Sequence, residues 1–332
     1  MTPQDPCIKS FEFGSVILPK GSVPWRLLRQ NPKSVSLSSR GFTGGTEQAR
    51  QVLEEAAASF ITGFNGAIDS RSIGALQDRL HSVAADQRGF AYEGAGMACA
   101  ILDIITYSRG RRVAALLEGP GDRYSHLIHV GTGWGFARLR LRPWRGLPIK
   151  DSMLRWLAWD GWGFHRGFFS PRSTVIAQRI ETRLGGAMNI RDQGLGRSIW
   201  FHDCADVVVI AERIRRFDVR RQADLWSGIG LAAAYAGGVC KNDLALLGEL
   251  AGELRADVVQ GIAFAAAARL RSGSLPMHTR NSAEIVAGVP AEVAAGWTEA
   301  ALAGLNGDTA SAYQEWRTRV RELWQTTSHH LT

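Results

Sequence analysis

Nowhere do the 332 residues reach the roughly 18 consecutive apolar positions that a membrane-crossing helix needs. The most apolar run, Gly228 to Val239, is short and rich in Gly and Ala, so no membrane span is expected. Asp5, Glu12 and the prolines at 3, 6 and 19 precede any long apolar block, which is not the pattern of a secretory leader and makes the cytoplasm the expected location. Cysteine is scarce. Cys7, Cys99, Cys204 and Cys240 lie far apart with no Cys-x-x-Cys pair, so neither a zinc knuckle nor a redox motif is written here and the thiols are expected to be reduced and mostly buried. Gly119-Pro-Gly121 is followed by no Gly-Lys-Ser or Gly-Lys-Thr, which excludes a phosphate loop. No ligand pair with metal spacing falls on one helix, and neither cofactor nor metal is expected. The net charge of +8 invites thoughts of nucleic acid, but the densest basic stretch, Arg138 to Arg145, is short and contains Pro and Trp. With no binding signature beside it, no nucleic-acid partner is expected.

What is present is a chain 45% apolar, enough for a large core. Residues 1–45 are rich in Pro, Gly and Ser and read as an irregular arm, extended or strand-like. From Thr46 onward helical spacing dominates, broken at Arg140 to Pro148. Inside the helical segments a glycine pair recurs six times: Gly94/Gly96, Gly131/Gly133, Gly161/Gly163, Gly194/Gly196, Gly228/Gly230 and Gly261, whose second place is Ala263. The first glycines stand 37, 30, 33, 34 and 33 residues apart, the length of one helical hairpin. Partner helices are expected at Val175 to Leu184, Val207 to Phe217 and Leu244 to Leu254. Two glycines inside a helix cost about 1 kcal/mol each relative to Ala, and close backbone approach between neighbouring helices is the compensating reason. The expected architecture is all-α: tandem hairpins of about 33 residues over 46–275, solenoid-like around a central groove or pocket, with a helical cap over 276–332.

Aligning the copies on their glycines exposes two further positions. The residue before the first glycine is polar in five of six copies, Glu93, Asp160, Gln193, Ser227 and Gln260, with Val130 the exception beside His129. After the second glycine comes a large residue (Met97, Trp134, Phe164, Arg197, Leu231, Phe264) and then a small one. The small position is expected to face a neighbouring helix or a narrow lumen.

The runs Phe90-Ala-Tyr-Glu-Gly-Ala-Gly-Met-Ala98, His129-Val-Gly-Thr-Gly-Trp134, Asp160-Gly-Trp-Gly-Phe-His165, Asp192-Gln-Gly-Leu-Gly-Arg-Ser-Ile-Trp200 and Asp224-Leu-Trp-Ser-Gly-Ile-Gly-Leu-Ala232 resemble the UnbL-type enediyne biosynthesis proteins, a bacterial family of similar length. The resemblance spans roughly residues 40 to 320. It implies a part in making a polyketide-derived enediyne, alongside a polyene-producing synthase and other enzymes of the pathway. It carries over no catalytic residue.

The site is therefore sought in the outliers of the alignment. His165 stands where the other copies have Ala, Gly or Ser, and Arg166 follows it. If a pocket forms there, His165 is placed to shuttle a proton near neutral pH, Asp160 to orient the imidazole, Arg166 to hold an anionic group, and Glu93 and Asp192 to complete a polar floor. The plainer alternative leaves His165 solvated at a helix end and uses the carboxylates as caps or inter-helix bonds. Tyr92, Trp134, Trp159, Trp162, Trp200, Phe201 and Trp226 concentrate in the same elements. Two or three of them are expected to face a cavity for a flat, conjugated ligand while the rest pack the core. Candidate ligand contacts are Tyr92, His129, Trp134, Trp159, Gln193, Arg197, Trp200, Trp226, Ser227 and Gln260. The expected function is a cofactor-independent cyclase or isomerase acting on an apolar polyene. The alternatives are a noncatalytic helical carrier or scaffold for that intermediate, and a terpene-type cyclase, for which Asp203-Cys-Ala-Asp206 and Asn242-Asp243 with Glu249 are sparse motifs.

Overall fold

A computed structural model of the chain describes residues 25–31, 36–143, 153–179, 185–305 and 307–329, and every regular element among them is helical. The α-helices are α1 (Glu47–Asp69), α2 (Ile73–His81), α3 (Arg88–Ile105), α4 (Arg111–Leu116), α5 (Ser125–Arg138), α6 (Leu157–Phe169), α7 (Ala187–His202), α8 (Val207–Arg215), α9 (Val219–Ala236), α10 (Lys241–Ala251), α11 (Arg255–Ser272), α12 (Met277–Ser282), α13 (Ala291–Leu302) and α14 (Ala310–His329). Side-chain caps start several of them: Thr46 accepts from the Ala49 amide, Ser72 from Ala75, and Asp206 from Val208 and Val209, each satisfying a donor that has no partner inside its helix. No helix among the described residues is long and apolar enough to cross a membrane.

The long helices pack in the order α1, α3, α5, α6, α7, α9, α11, each against the next, with α13 and α14 against α11. The shorter α2, α4, α8 and α10 connect them. The inner helices are buried nearly all round: α3 and α6 expose residues only towards their ends. The glycine pairs explain how such helices sit so close. A Cβ on Gly194 would lie 1.8 Å from the Asp160 carbonyl oxygen of the preceding helix, and one on Gly196 would lie 2.1 Å from the Leu225 oxygen of the following helix. The first glycine thus meets the helix before it and the second the helix after it, and the same division holds at Gly131/Gly133, Gly161/Gly163 and Gly228/Gly230. The row also begins one helix earlier than the glycine pairs suggest. Gly63 of α1 meets the Ala91 oxygen as a second glycine does, but Ile61 occupies the first place.

Further along the row the chain curls back on its start. The Tyr235 ring of α9 lies 5.2 Å from Phe90 of α3. Arg269 of α11 stacks 3.9 Å over Tyr235 and donates to the Asp86 carbonyl, and Arg271 pairs with Asp122 at 3.0 Å.

Several expectations need correcting. Val175 to Leu184 is not a partner helix in its described part: a π-helical turn, Arg172–Ile176, gives way to irregular chain through 179, and 180–184 lie outside the described residues. The described part of the arm holds single turns at Trp25–Leu28 and Ser38–Arg40, with no strand, and buries Leu37 and Phe42. Cys99 and Cys204 are buried but Cys240 is exposed; Cys7 and the link from 144 to 148 lie outside the described residues. The C-terminal segment is more than a cap, because Arg317 of α14 is fully buried against α9 and α11.

Candidate functional site

Between α1 and the helices α3, α5, α6 and α7 lies a cavity of about 190 Å³. Its wall is aromatic: Phe60, Phe64, Phe90, Trp134, Phe164, Phe168, Phe169 and Phe201, with Met97 and Ala56. The position after the second glycine builds much of it. Phe64, Met97, Trp134, Phe164 and Arg197 all line this cavity, while Arg197, Leu231 and Phe264 line a second one of about 40 Å³ deeper in the row. Of the small positions, Ala265 joins the second cavity and Gly135 abuts Ala100 of the neighbouring α3, as expected of them, while the large positions supply most of the lining. Arg197 is the one charge in that series and stands between the two cavities.

Two carboxylates hold it there. Arg197 NH1 donates to Asp160 Oδ1, and its NH2 lies 3.5 Å from Glu93 Oε1. Glu93 and Asp160 both occupy the position before a first glycine, so they project at one height from α3 and α6. Burial pushes the Glu93 carboxyl up to about 7; Arg197 pulls it back and Asp160 adds to the rise. Burial draws Arg197 down, but Asp160 and Glu93 outweigh it and leave Arg197 above its ordinary value.

From Asp160 the polar line continues through the molecule. Gln193 Nε2 donates to Asp160 Oδ2 at 2.7 Å, and the Ser227 hydroxyl lies 3.3 Å from Gln193 Oε1 and 2.7 Å from Gln260 Oε1. Arg317 Nε donates to Gln260 Oε1 at 3.0 Å and its NH1 to Asp224 Oδ1 at 2.6 Å. The expected shared height of Glu93, Asp160, Gln193, Ser227 and Gln260 is thus a chain of buried side-chain bonds. All but Glu93 lie outside the large cavity's lining; Gln193 bonds Asp160 directly, and Ser227 and Gln260 extend the line behind it.

The expected catalytic group does not assemble as one cluster. His165 is 7% exposed, not solvated, with its ring 4.6 Å from Phe169 and 5.7 Å from Trp134. It is five residues beyond Asp160, which turns it about 140° round the helix, and Asp160 is bonded to Arg197 and Gln193 instead. Burial, then Arg138 and Arg166, push His165 down to about 3. That direction favours the neutral ring near pH 7 over the proton shuttle expected of it. Arg166 lies 5.8 Å from the Trp162 ring. Asp192 sits one residue off the aligned height, hence about 100° away, and pairs with Arg191 and with Arg221 at 2.7 Å in a separate cluster.

Of the aromatic candidates, Trp134 and Phe201 face the cavity. Tyr92 stacks on Tyr124 with centroids 4.2 Å apart, Trp159 and Trp226 are core, and Trp200 donates to the Gly237 carbonyl. His129 Nδ1 lies 2.6 Å from the Ser125 carbonyl, which places its proton on that nitrogen. Sequence reasoning missed Phe60 and Phe64 because α1 lacks a complete glycine pair, and missed Arg40, Phe168 and Phe169 because they lie outside the aligned positions. Arg138, also missed, closes α5 at the cavity's edge.

The acids considered for terpene-type chemistry are used elsewhere. Asp203 pairs with Arg213 and His202, Asp206 caps α8, and Asp243 closes the capping box of α10. Among the described residues no three His, Cys, Asp or Glu side chains converge as metal ligands.

One family model matches, that of DUF1702, described as a protein of unknown function, over residues 20–324. No curated protein and no solved structure matches the chain.

Proposed function

Since the chain belongs to DUF1702, whose function is unknown, we propose its activity from the cavity: a cofactor-independent acid–base enzyme of the isomerase or cyclase type, acting on a small, apolar, unsaturated ligand. The observation that carries this reading is a buried carboxyl, Glu93, set in an aromatic wall with its pKa raised to about 7. An acid poised near the working pH gives and takes protons most effectively.

In the proposed reaction, protonated Glu93 delivers its proton to one carbon of a conjugated system and forms a new C–H bond. The cation so formed lies against aromatic faces, whose negative quadrupole stabilises it. The Glu93 carboxylate, steadied by Arg197, then removes a proton from another carbon and the double bond re-forms in a new place. Nothing is oxidised or reduced. Arg197 keeps the carboxylate form accessible, and Asp160 with Gln193 fixes the Arg197 fork. On this reading the row of glycine-bearing helices is a tandem repeat whose curvature makes the groove. With the sequence resemblance to UnbL-type enediyne proteins, the ligand proposed is a polyene or enediyne-core intermediate.

Complementation of a deletion strain tests this. Glu93→Gln keeps the shape and removes the transferable proton, and the metabolite made per unit time is expected to fall by about 10²- to 10⁴-fold. Full production by the folded variant would remove Glu93 from the chemistry and favour the carrier reading, which the open edge of the cavity at half-exposed Phe169 also supports.

A further inference from the structure

The cavity's charges are unevenly placed. Arg40, Arg138 and Arg197 line it against a single acid among the described residues, Glu93, and the two ends differ. Glu93 and Arg197 are buried at the inner end, whereas Arg138 is exposed, Phe169 is 45% exposed and Arg40 is half-buried, so the cavity meets solvent beside these three.

From this arrangement we infer that the ligand is an amphiphile with one anionic head group, of carboxylate or phosphate chemistry, seated between Arg40 and Arg138 at the mouth while its unsaturated tail fills the aromatic interior. The inference rests on the acid–base reading above and adds the ligand's polarity and direction of entry.

Three features support it. The Arg40 guanidinium lies 4.6 Å from the Phe168 ring centre and 4.9 Å from Phe169. Stacking on these two rings fixes where that permanent positive charge sits, beside the cavity's mouth. The size also fits: an apolar cavity of roughly 150 Å³ accepts benzene, so 190 Å³ takes a ring or a short conjugated chain and leaves a charged head outside. Finally, Arg138 and Arg166 add to the burial that lowers His165, so the field at this end is positive. An anion entering head-last lowers that field, whereas a cationic head is repelled by it.

The test compares three probes by calorimetry at low salt: 2,4,6,8-decatetraenoic acid, its methyl ester, and the matching decatetraenyl phosphate. One or both anions are expected to bind at least about tenfold more tightly than the ester, as one charge-assisted contact amounts to, with the preference shrinking as salt is raised. Whichever anion binds more tightly identifies the head group. Arg40→Gln with Arg138→Gln should abolish the preference, so that acid and phosphate bind no more tightly than the ester does to the same variant. Equal binding of acid, phosphate and ester overturns the head-group inference but leaves the acid–base reading intact. A preference that survives in the double variant overturns the seat at the mouth. Failure of all three to bind removes the apolar-ligand reading along with this one.

Discussion

Two buried titratable side chains make opposite statements about pH. The Glu93 value lies above the 4.5 of a free carboxyl, so the folded protein holds this proton more tightly than the unfolded chain does. Stability from this group is full below about pH 4.5 and is lost as pH rises through about 7. Glu93→Gln mimics the protonated form. It is expected to raise the melting temperature at pH 8 and to leave it unchanged at pH 4, and a gain of equal size at both would disprove the raised carboxyl value. His165 runs the other way. Its value falls from 6.5 to about 3, so the unfolded chain takes up the proton first and stability is lost as pH drops below 6.5. A proton NMR titration should show the His165 ring unprotonated at pH 5, whereas a midpoint near 6.5 would restore it as a proton shuttle. Because the ring is packed among Trp134 and Phe169, His165→Ala should cost about 1–3 kcal/mol as a buried truncation, not the small change expected of a solvated side chain.

At the level of the helix, the glycines divide into those that touch a neighbour and those that do not. Gly230 would place a Cβ 2.0 Å from the Val258 oxygen, a backbone atom with no rotamer to yield. Gly230→Ala is therefore expected to destabilise by more than the propensity gain of roughly 1 kcal/mol that Ala brings to a helix interior. Gly296, in the exposed face of α13, has nothing within 4 Å. Gly296→Ala should stabilise by about 0.5–1 kcal/mol. Chemical denaturation of the two variants decides the matter, and stabilisation by both would show that close approach is not what the pairs are for. The pairs were legible in the sequence because close packing needs a repeated small residue at a fixed interval. The end of helical structure at Ile176, inside the expected helix Val175 to Leu184, was not, since an apolar stretch beginning Val175-Ile176 satisfies a helical period whether or not tertiary contacts let it propagate.

Across the whole molecule, the cavity's floor is tied to the far end of the chain. Arg317 is fully buried and bonds Gln260, 57 residues away, and Asp224, 93 residues away. Removing it strands a buried carboxylate, a loss of about 3–5 kcal/mol where such pairs are broken. Arg317→Met should therefore unfold the protein at markedly lower denaturant. Termination after residue 305, which deletes α14, should give no cooperatively folded product. A truncated chain with the full-length melting profile would show that α14 is a detachable cap.

The sequence by itself determined the helical class, the interval of the glycine pairs and the polar height shared by Glu93, Asp160, Gln193, Ser227 and Gln260. All three follow from local spacing, and a helix translates spacing directly into a face. The alignment also contained much of the cavity wall, in the large residue after each second glycine, a series in which Arg197 is the single charge. Only the tertiary structure decided which of those faces meets which. His165 and Asp192 are close to Asp160 in aligned position, yet 140° and 100° of helical rotation send them into different surroundings. Which group carries the proton follows the same way: burial raises Glu93, and burial with the nearby arginines lowers His165. Burial and the proximity of charges belong to the packed chain and are written at no single position in it.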